Sequence, residues 1–129
     1  MCDLYRLEAL LNRMDEAISL VMQQTATISK PDDFLCSSTG MFVLGGVCMQ
    51  LIFVGETVKV IDGKFPNYLC KYPAVPWKEI MGLRDIIAHE YHHVDAEEIF
   101  AVLKNDLPHL LEIVHVMQKN VLSELNRSQ

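Results

Sequence analysis

Apolar side chains recur at alternating intervals of three and four residues along the first part of the chain. The series comprises Leu4, Leu7, Leu11, Met14, Ile18, Val21, Thr25 and Ile28. This spacing is typical of a helix that packs lengthwise against another helix. Proline disfavours helical geometry in the residue before it, so the helix is predicted to end at Ser29-Lys30-Pro31.

A second long helix is predicted from about residue 38 to residue 62. Its middle part, MFVLGGVCMQLIFVG, is apolar on nearly all sides, which indicates the central helix of the fold. Glycine weakens a helix interior by up to about 1 kcal/mol relative to alanine. Gly45, Gly46 and Gly55 therefore suggest places where another backbone approaches closely.

Proline and capping residues mark the later helices. Pro76 lies at the predicted first turn of a helix that reads PWKEIMGLRDIIAHEY. Asp95 is the predicted N-cap of the next helix, with Glu98 at its third position. The segment Asp106-Leu107-Pro108 predicts the start of a last helix that runs to about Leu125.

The connections and the absence of sheet patterning complete the predicted fold. Residues 32–35 can form one short turn, and residues 63–75 are predicted to be a loop with one helical turn. No stretch shows the alternation of period two that a half-buried strand requires. We therefore expect an all-α, up-and-down bundle of four to five helices, formed by a single domain over residues 1–129.

Composition limits the partners and the location of this chain. Its 129 residues carry a net charge of -6, which argues against coating of nucleic acid along many phosphates. Half of the residues are apolar, a high share for so small a domain, so part of that surface is expected to meet another chain. The N-terminus has no apolar signal core, and the apolar run of residues 41–54 is shorter than the roughly 20 residues of a membrane span. We expect a cytoplasmic protein whose four cysteines are reduced thiols.

The stretch RDIIAHEYHHVD, residues 84–95, permits two interpretations. Its letters His89-Glu90-Tyr91-His92-His93 fit the pattern H-E-x-x-H of zinc peptidases. That site needs both histidines on one helical face, but the helix must stop before Asp95 caps the next one. A third zinc ligand could come from four residues, Glu97, Glu98, His109 and His115, and the spacing selects none of them.

The second interpretation needs no metal. Asp85 and His89 are four residues apart, so the carboxylate can orient the imidazole on one helical face. Arg84 and His89 diverge by roughly 140° on a straight helix, so a complete site is expected to require two copies across a two-fold axis. Arginine holds phosphate oxygens and histidine exchanges protons near neutral pH. With the 2′-hydroxyl of RNA as nucleophile, these groups can cleave a phosphodiester without a catalytic metal.

Residues 75–112, VPWKEIMGLRDIIAHEYHHVDAEEIFAVLKNDLPHLLE, resemble the HEPN-domain toxins of the HepT-like family. The shared features are a proline-tryptophan helix start, a glycine-leucine-arginine step, the core R-x(4)-H-x-Y, and a later K-x-x-L-P. Upstream, QLIFVGETVKVID (residues 50–62) resembles the family's preceding helix with its G-E-A/T-x-K element. The resemblance covers most of the chain and is weakest over residues 1–40.

This resemblance implies a five-helix HEPN fold, a homodimer and a metal-independent endoribonuclease site at the dimer cleft. Arg84 and His89 match the family's catalytic pair, and Asp85 stands where relatives often have asparagine. Tyr91 matches the tyrosine that a partner nucleotidyltransferase antitoxin modifies with AMP. Toxin and antitoxin could also form a larger hetero-oligomer.

Three alternatives remain open at the level of the sequence. The first is a catalytically silent helical module that docks a nucleotidyltransferase, and the acidic Asp85 favours it. The second is a zinc-dependent hydrolase built on HEYHH, and the third is a helical dimerisation protein without a catalytic site. Trp77 and Gly82 are better explained by packing than by chemistry.

Overall fold

The computed structural model describes residues 2–89 and 95–128, and the side chains of residues 3–87 and 95–127. The helices, in chain order, are α1 Cys2–Gln24, α2 Ser38–Lys64, α3 Trp77–Met81, α4 Leu83–His89, α5 Ala96–Ala101 and α6 Leu107–Ser128. Short 3-10 turns at Pro31–Phe34 and Leu69–Lys71 lie in the connections, as the sequence predicts. No strand occurs within the described ranges, so the all-α class is confirmed.

The apolar series of α1 forms the seam that its spacing predicts. The seam residues buried in the core are Leu7, Leu11, Met14, Ile18, Val21, Thr25 and Ile28. Along this seam α1 packs on both α6 and α2. The helix ends at Gln24 rather than at Ser29, because Ser29 and Lys30 donate their backbone N–H groups to the Asp33 carboxylate and the chain turns early.

A polar contact closes the outer edge between α1 and α6. The Asp15 carboxylate accepts hydrogen bonds from Ser19 (2.9 Å) and Gln118 (3.2 Å) and lies 3.4 Å from His115 Nε2. Partial burial raises the pKa of Asp15, but the hydrogen bonds and the nearby imidazole outweigh it and leave the pKa below its ordinary value. This carboxylate therefore favours the folded state in its charged form.

Helix α2 is apolar on two opposite faces, and a single chain covers only one of them. The buried face contributes Leu44, Val47, Leu51, Val54, Val58 and Ile61 to the core, where α2 contacts α1, α3 and α4. The opposite face exposes Phe42, Met49, Phe53 and Val60, with Phe42 at 85%. A central helix would be buried on all sides, and α2 is buried on one face only, so the prediction that it is the central helix is confirmed for that face alone.

By length and composition, α2 would also be able to cross a membrane. Its most apolar window of 18 residues is 44% buried against the rest of the protein. Core helices of soluble proteins share this composition, and the contacts of α2 with three other helices match such a helix.

The C-terminal part of the chain, from Ala96 to Ser128, is one continuous helix that contains a wider turn. Residues between α5 and α6, Val102–Asp106, adopt π-helical hydrogen bonding, and the dihedral angles stay helical on both sides. The prediction that the last helix starts at Asp106-Leu107-Pro108 is confirmed by the start of α6 at Leu107, but the helical backbone reaches it from α5 through the wider turn, without a break. Pro108 has no N–H to bond the carbonyl of Lys104, and its ring crowds that carbonyl. The Leu107 N–H bonds Val102 five residues back instead, so the helix widens without breaking.

Three cysteines agree with the prediction of reduced thiols. Cys36 and Cys70 are exposed, Cys48 is buried, and all three are free. Burial raises the pKa of the Cys48 thiol, so this residue is protonated and packs as a small apolar group. The side chain of Cys2 lies outside the described set.

Candidate functional site

The segment that carries the candidate site begins at a rigid corner before α3. Trp77 is buried, and its indole Nε1 donates a hydrogen bond to the Tyr72 carbonyl at 2.9 Å. Helix α3 begins at Trp77, so Pro76 lies just before the helix and not at its first position, where the sequence predicts it. Such a difference of one residue is within the ordinary variation of helix ends. The packing role expected for Trp77 agrees with these contacts.

The continuous helix predicted from Pro76 to Tyr91 is wrong, because α3 ends at Met81 and α4 begins at Leu83. Gly82 lies between them with φ -84° and ψ -4°, outside regular helical geometry. Its N–H points to the carbonyls of Lys78 and Glu79. The turn at Gly82 separates the short α3 from α4, which carries Arg84 and Asp85.

Gly55 lets α3 approach α2 at backbone distance. A Cβ atom at Gly55 would lie 2.6 Å from the Ile80 carbonyl oxygen, closer than real Cβ contacts allow. This contact confirms the interpretation of Gly55 as a site of close backbone approach. At Gly45 and Gly46, no atom of the described residues beyond the neighbouring backbone of α2 lies within 4 Å of such a position, so no close approach among the described residues explains these two glycines.

Arg84 extends from α4 towards α2, where it meets Glu56. The distance between Arg84 Nη1 and Glu56 Oε1 is 2.9 Å, and the side chains are 59% and 37% exposed. The guanidinium is therefore held at the surface, with several N–H donors still facing solvent. An exposed pair of this kind contributes roughly 0.2–1 kcal/mol, so an incoming anion can displace the carboxylate at small cost.

Glu56 is the one described site residue that no sequence pattern predicts. The pair joins positions 28 residues apart, so no local spacing rule connects them. The signal that the sequence contains is the element Gly55-Glu56-Thr57, which resembles a family element but does not indicate a partner for Glu56. In the structure, Gly55 brings α3 close and the adjacent Glu56 fixes Arg84 just beyond it.

Asp85 is the next residue on α4 and points in a different direction. It is exposed and borders the cavity between α3–α4 and the C-terminal helix, whereas Arg84 faces α2. The backbone of His89 ends α4. Its side chain, and all of Tyr91, Glu90, His92 and His93, lie outside the described residues. The Asp85–His89 pair and the zinc pattern therefore stay predictions.

The remaining candidate zinc ligands are distributed over separate parts of the C-terminal helix. Glu97 and Glu98 lie in the first turn of α5. Their backbone N–H groups donate to the Asp95 carboxylate at 2.9 and 3.4 Å, which confirms Asp95 as the N-cap of α5. His109 borders the cavity, and His115 pairs with Asp15 on α1. Within the part of the chain that the structure describes, no three His, Cys, Asp or Glu side chains form a possible metal site.

Comparison with known proteins covers most of the chain. The family model of HepT-like ribonucleases matches residues 14–117. The "Probable ribonuclease HepT" of Thermococcus cleftensis is 33% identical over 100 residues, which are 78% of this chain and 84% of that protein. The "Gamma-glutamylcyclotransferase and putative RNase" of Methanocaldococcus jannaschii is 31% identical over 120 residues, 90% of this chain.

The extent of these matches differs between relatives. The chain spans 51% of the Methanocaldococcus jannaschii protein, about half its length. A "Putative RNase" of Caldanaerobacter subterraneus is 36% identical over 71 residues, 54% of this chain and 61% of that protein. No solved structure matches the chain. The family model covers well over half of the sequence, and the chain belongs to the HepT-like ribonuclease family.

Proposed function

We propose that this protein is a metal-independent endoribonuclease whose active site contains Arg84 and His89. The proposal rests on the position of Arg84 in the structure, taken together with the membership of the chain in the HepT-like ribonuclease family. Its guanidinium is exposed, fixed by Glu56 at 2.9 Å, and carried by the same short helix that ends at His89. A fixed, solvent-facing guanidinium suits the binding of an RNA phosphate.

Each residue has a definite role in the proposed reaction. His89 removes the proton from the 2′-hydroxyl of the RNA, and the freed oxygen attacks the adjacent phosphorus. The bond to the 5′-oxygen then breaks, and that oxygen leaves with the proton that His89 had taken up, so the products are a 2′,3′-cyclic phosphate and a 5′-hydroxyl. Arg84 stabilises the negative charge that gathers on the phosphate oxygens. Asp85, four residues before His89, orients the imidazole.

The exposed face of α2 supports a homodimer as the active form. The residues Phe42, Gly46, Met49, Phe53, Glu56 and Val60 follow each other at intervals of three and four, so they lie on one side of the helix. A contiguous apolar face on a small protein marks an interaction surface. Gly46 gives room for a second α2 to approach.

The same face connects the dimer to the chemistry. Glu56 lies on it and holds Arg84, so a second copy packed there brings its own Arg84 close to the two-fold axis. Two copies can then combine Arg84 of one subunit with His89 of the other in a shared cleft. This arrangement removes the difficulty that the two residues diverge on a single helix.

The proposal includes a biological setting that follows the family resemblance. The protein acts in the cytoplasm as the toxin of a toxin–antitoxin pair, as a single HEPN-like domain over residues 1–129. A nucleotidyltransferase antitoxin transfers AMP from ATP to the Tyr91 hydroxyl and releases pyrophosphate. The added phosphate and base repel and obstruct RNA at the mouth of the cleft. Toxin and antitoxin can assemble into a larger hetero-oligomer.

RNA cleavage in the presence of EDTA tests the proposed function. Unmodified wild type should cleave RNA, and Arg84→Ala and His89→Ala should each lower the rate by roughly 10²- to 10⁴-fold. Arg13→Ala is the matched control, because Arg13 is exposed on α1 and should leave the rate unchanged. RNA that stays intact with unmodified, dimeric wild type would refute the proposal.

A second candidate function is a catalytically silent module that docks a nucleotidyltransferase. Glu56 neutralises Arg84, and the exposed Asp85 beside it adds a second negative charge near the expected phosphate position. This candidate predicts a stable complex with the nucleotidyltransferase and no cleavage of RNA by the unmodified protein. The EDTA experiment therefore separates the two functions.

A further inference from the structure

A large cavity lies between the site helices and the C-terminal helix. Its volume is about 560 Å³, within the range of roughly 300–1,000 Å³ that is typical of small-molecule sites. One wall is formed by Pro76, α3 and α4, and the opposite wall by the π-helical turn Val102–Asp106 and the start of α6. π-Helical turns occur frequently at functional sites.

The floor of the cavity is apolar. The side chains that form it are Leu51, Val54, Val75, Leu107 and Leu110, which are at most 5% exposed and belong to the core. Ile80, Leu83 and Val102 line its sides and are half-buried. Water in such a space has few hydrogen-bond partners, so an apolar group gains free energy by displacing it.

Among the described residues, the charged side chains on the rim of the cavity are all carboxylates. Four exposed carboxylates border it, from Glu79, Asp85, Glu98 and Asp106. The other polar side chains on the rim, from Asn105 and His109, carry no negative charge. This rim repels phosphate, so the cavity is a poor place for RNA and a good one for a cation.

We propose that the cavity binds a small organic cation that has an apolar body. The body occupies the floor between α2 and α6, and the cationic group lies at the carboxylate rim. Binding involves only noncovalent contacts. Because Asp85 belongs to both this rim and the proposed active site, an occupied cavity brings a positive charge next to the residue that orients His89. The proposed cation site in the cavity does not depend on whether the protein cleaves RNA.

Three probes of the same shape and different charge test this proposal. They are 4-phenylbutylamine, which is protonated at pH 7, the neutral 4-phenylbutan-1-ol, and the anion 4-phenylbutyrate. Titration of the isotope-labelled protein, followed by amide chemical shifts, should give affinities in the order amine, alcohol, carboxylate. The shifts should concentrate on the residues that line the cavity, including Val102, Leu107 and Leu110. Added salt should reduce the preference for the amine.

Two variants separate the charge of the rim from the space inside. The double substitution Glu98→Gln and Asp106→Asn should weaken amine binding by roughly two- to twenty-fivefold, since each exposed pair contributes about 1.4- to fivefold, and should leave alcohol binding unchanged. Val102→Trp should fill the cavity and abolish binding of both probes. Val116→Trp is its control, because Val116 is exposed on α6 outside the cavity.

Four results would overturn the proposal. They are no binding of the amine to the wild type, equal affinities for the three probes, chemical shift changes away from the cavity, or an unchanged amine preference in the double variant. The double variant changes only exposed side chains, so it keeps the test decisive if Val102→Trp fails to fold. Melting temperatures of all the variants show which of them are folded.

Discussion

Gly55→Ala tests how the site is positioned, because one added carbon would press α3 away from α2. The new Cβ would lie 2.6 Å from the Ile80 carbonyl oxygen, and ordinary contact begins at 3.4 Å. The two backbones must therefore separate by about 0.8 Å, since neither atom belongs to a flexible side chain. Overpacking of this kind costs about 1–3 kcal/mol. Alanine recovers up to about 1 kcal/mol through its higher helix propensity.

Gly63→Ala isolates the cost of the clash, because a Cβ at Gly63 meets no atom within 4 Å and the residue lies in the same helix. The propensity gains of the two variants roughly cancel. For 129 residues, 1 kcal/mol corresponds to about 4 °C in melting temperature. We expect Gly55→Ala to melt about 4–12 °C below Gly63→Ala in thermal denaturation followed by circular dichroism. Equal melting temperatures, or a more stable Gly55→Ala, would show that the close approach is wrong.

Three further predictions address the ion pair, the pH dependence and the exposed face of α2. Glu56→Gln keeps an oxygen that accepts a hydrogen bond from Arg84 but removes the negative charge that competes with the RNA phosphate. The KM for RNA should therefore fall by roughly 1.4- to fivefold in steady-state cleavage assays. A rise in KM would contradict this role of Glu56. The pKa of Asp15 is lowered in the folded state, so its contribution to stability is present above its unfolded pKa of about 3.9 and is lost as the pH falls through the folded pKa. The stability advantage of wild type over Asp15→Asn should accordingly shrink between about pH 5 and pH 3 in denaturation curves, and an advantage independent of pH would refute the assignment. Phe42→Asp should convert a dimer to a monomer in sedimentation experiments, whereas Leu122→Asp, at an exposed apolar position on α6, should not. A dimeric Phe42→Asp would exclude this face as the interface.

The parts of the fold that follow from local patterns were predictable from the sequence. The spacing from Leu7 to Val21 predicts the buried face of α1, because core burial and helical periodicity coincide there. Asp95 is the N-cap of α5 because its side chain can reach only the next few N–H groups. These features depend on neighbours within one or two helical turns.

Other features of the fold depend on competing backbone conformations between which a sequence pattern does not decide. A proline near a helix start and a proline inside a widened helix look alike in sequence, so the π-helical turn before Pro108 was missed. A glycine between two helical segments is compatible with a continuous helix and with a turn, and the structure has the turn at Gly82.

The residues of the candidate site also divide into those that a local sequence pattern predicts and those that it does not. The core motif contains Arg84, the neighbouring Asp85 follows from its spacing to His89, and both residues lie on α4. Glu56 was not assigned, because its distance from Arg84 is set by the approach of α3 at Gly55 rather than by sequence spacing. The cavity was also outside the reach of a one-dimensional pattern, since α2, α3, α4 and α6 all contribute to it.

Subunit complementation tests the central claim most directly. Arg84→Ala and His89→Ala are each expected to be inactive alone. If the site combines Arg84 of one subunit with His89 of the other, mixing equal amounts under conditions of subunit exchange restores one intact site in each heterodimer. Half of the dimers are then mixed, so cleavage should recover to about a quarter of the wild-type rate. Heterodimers that form, as shown by tagged subunits, but stay inactive would contradict a site shared between two chains.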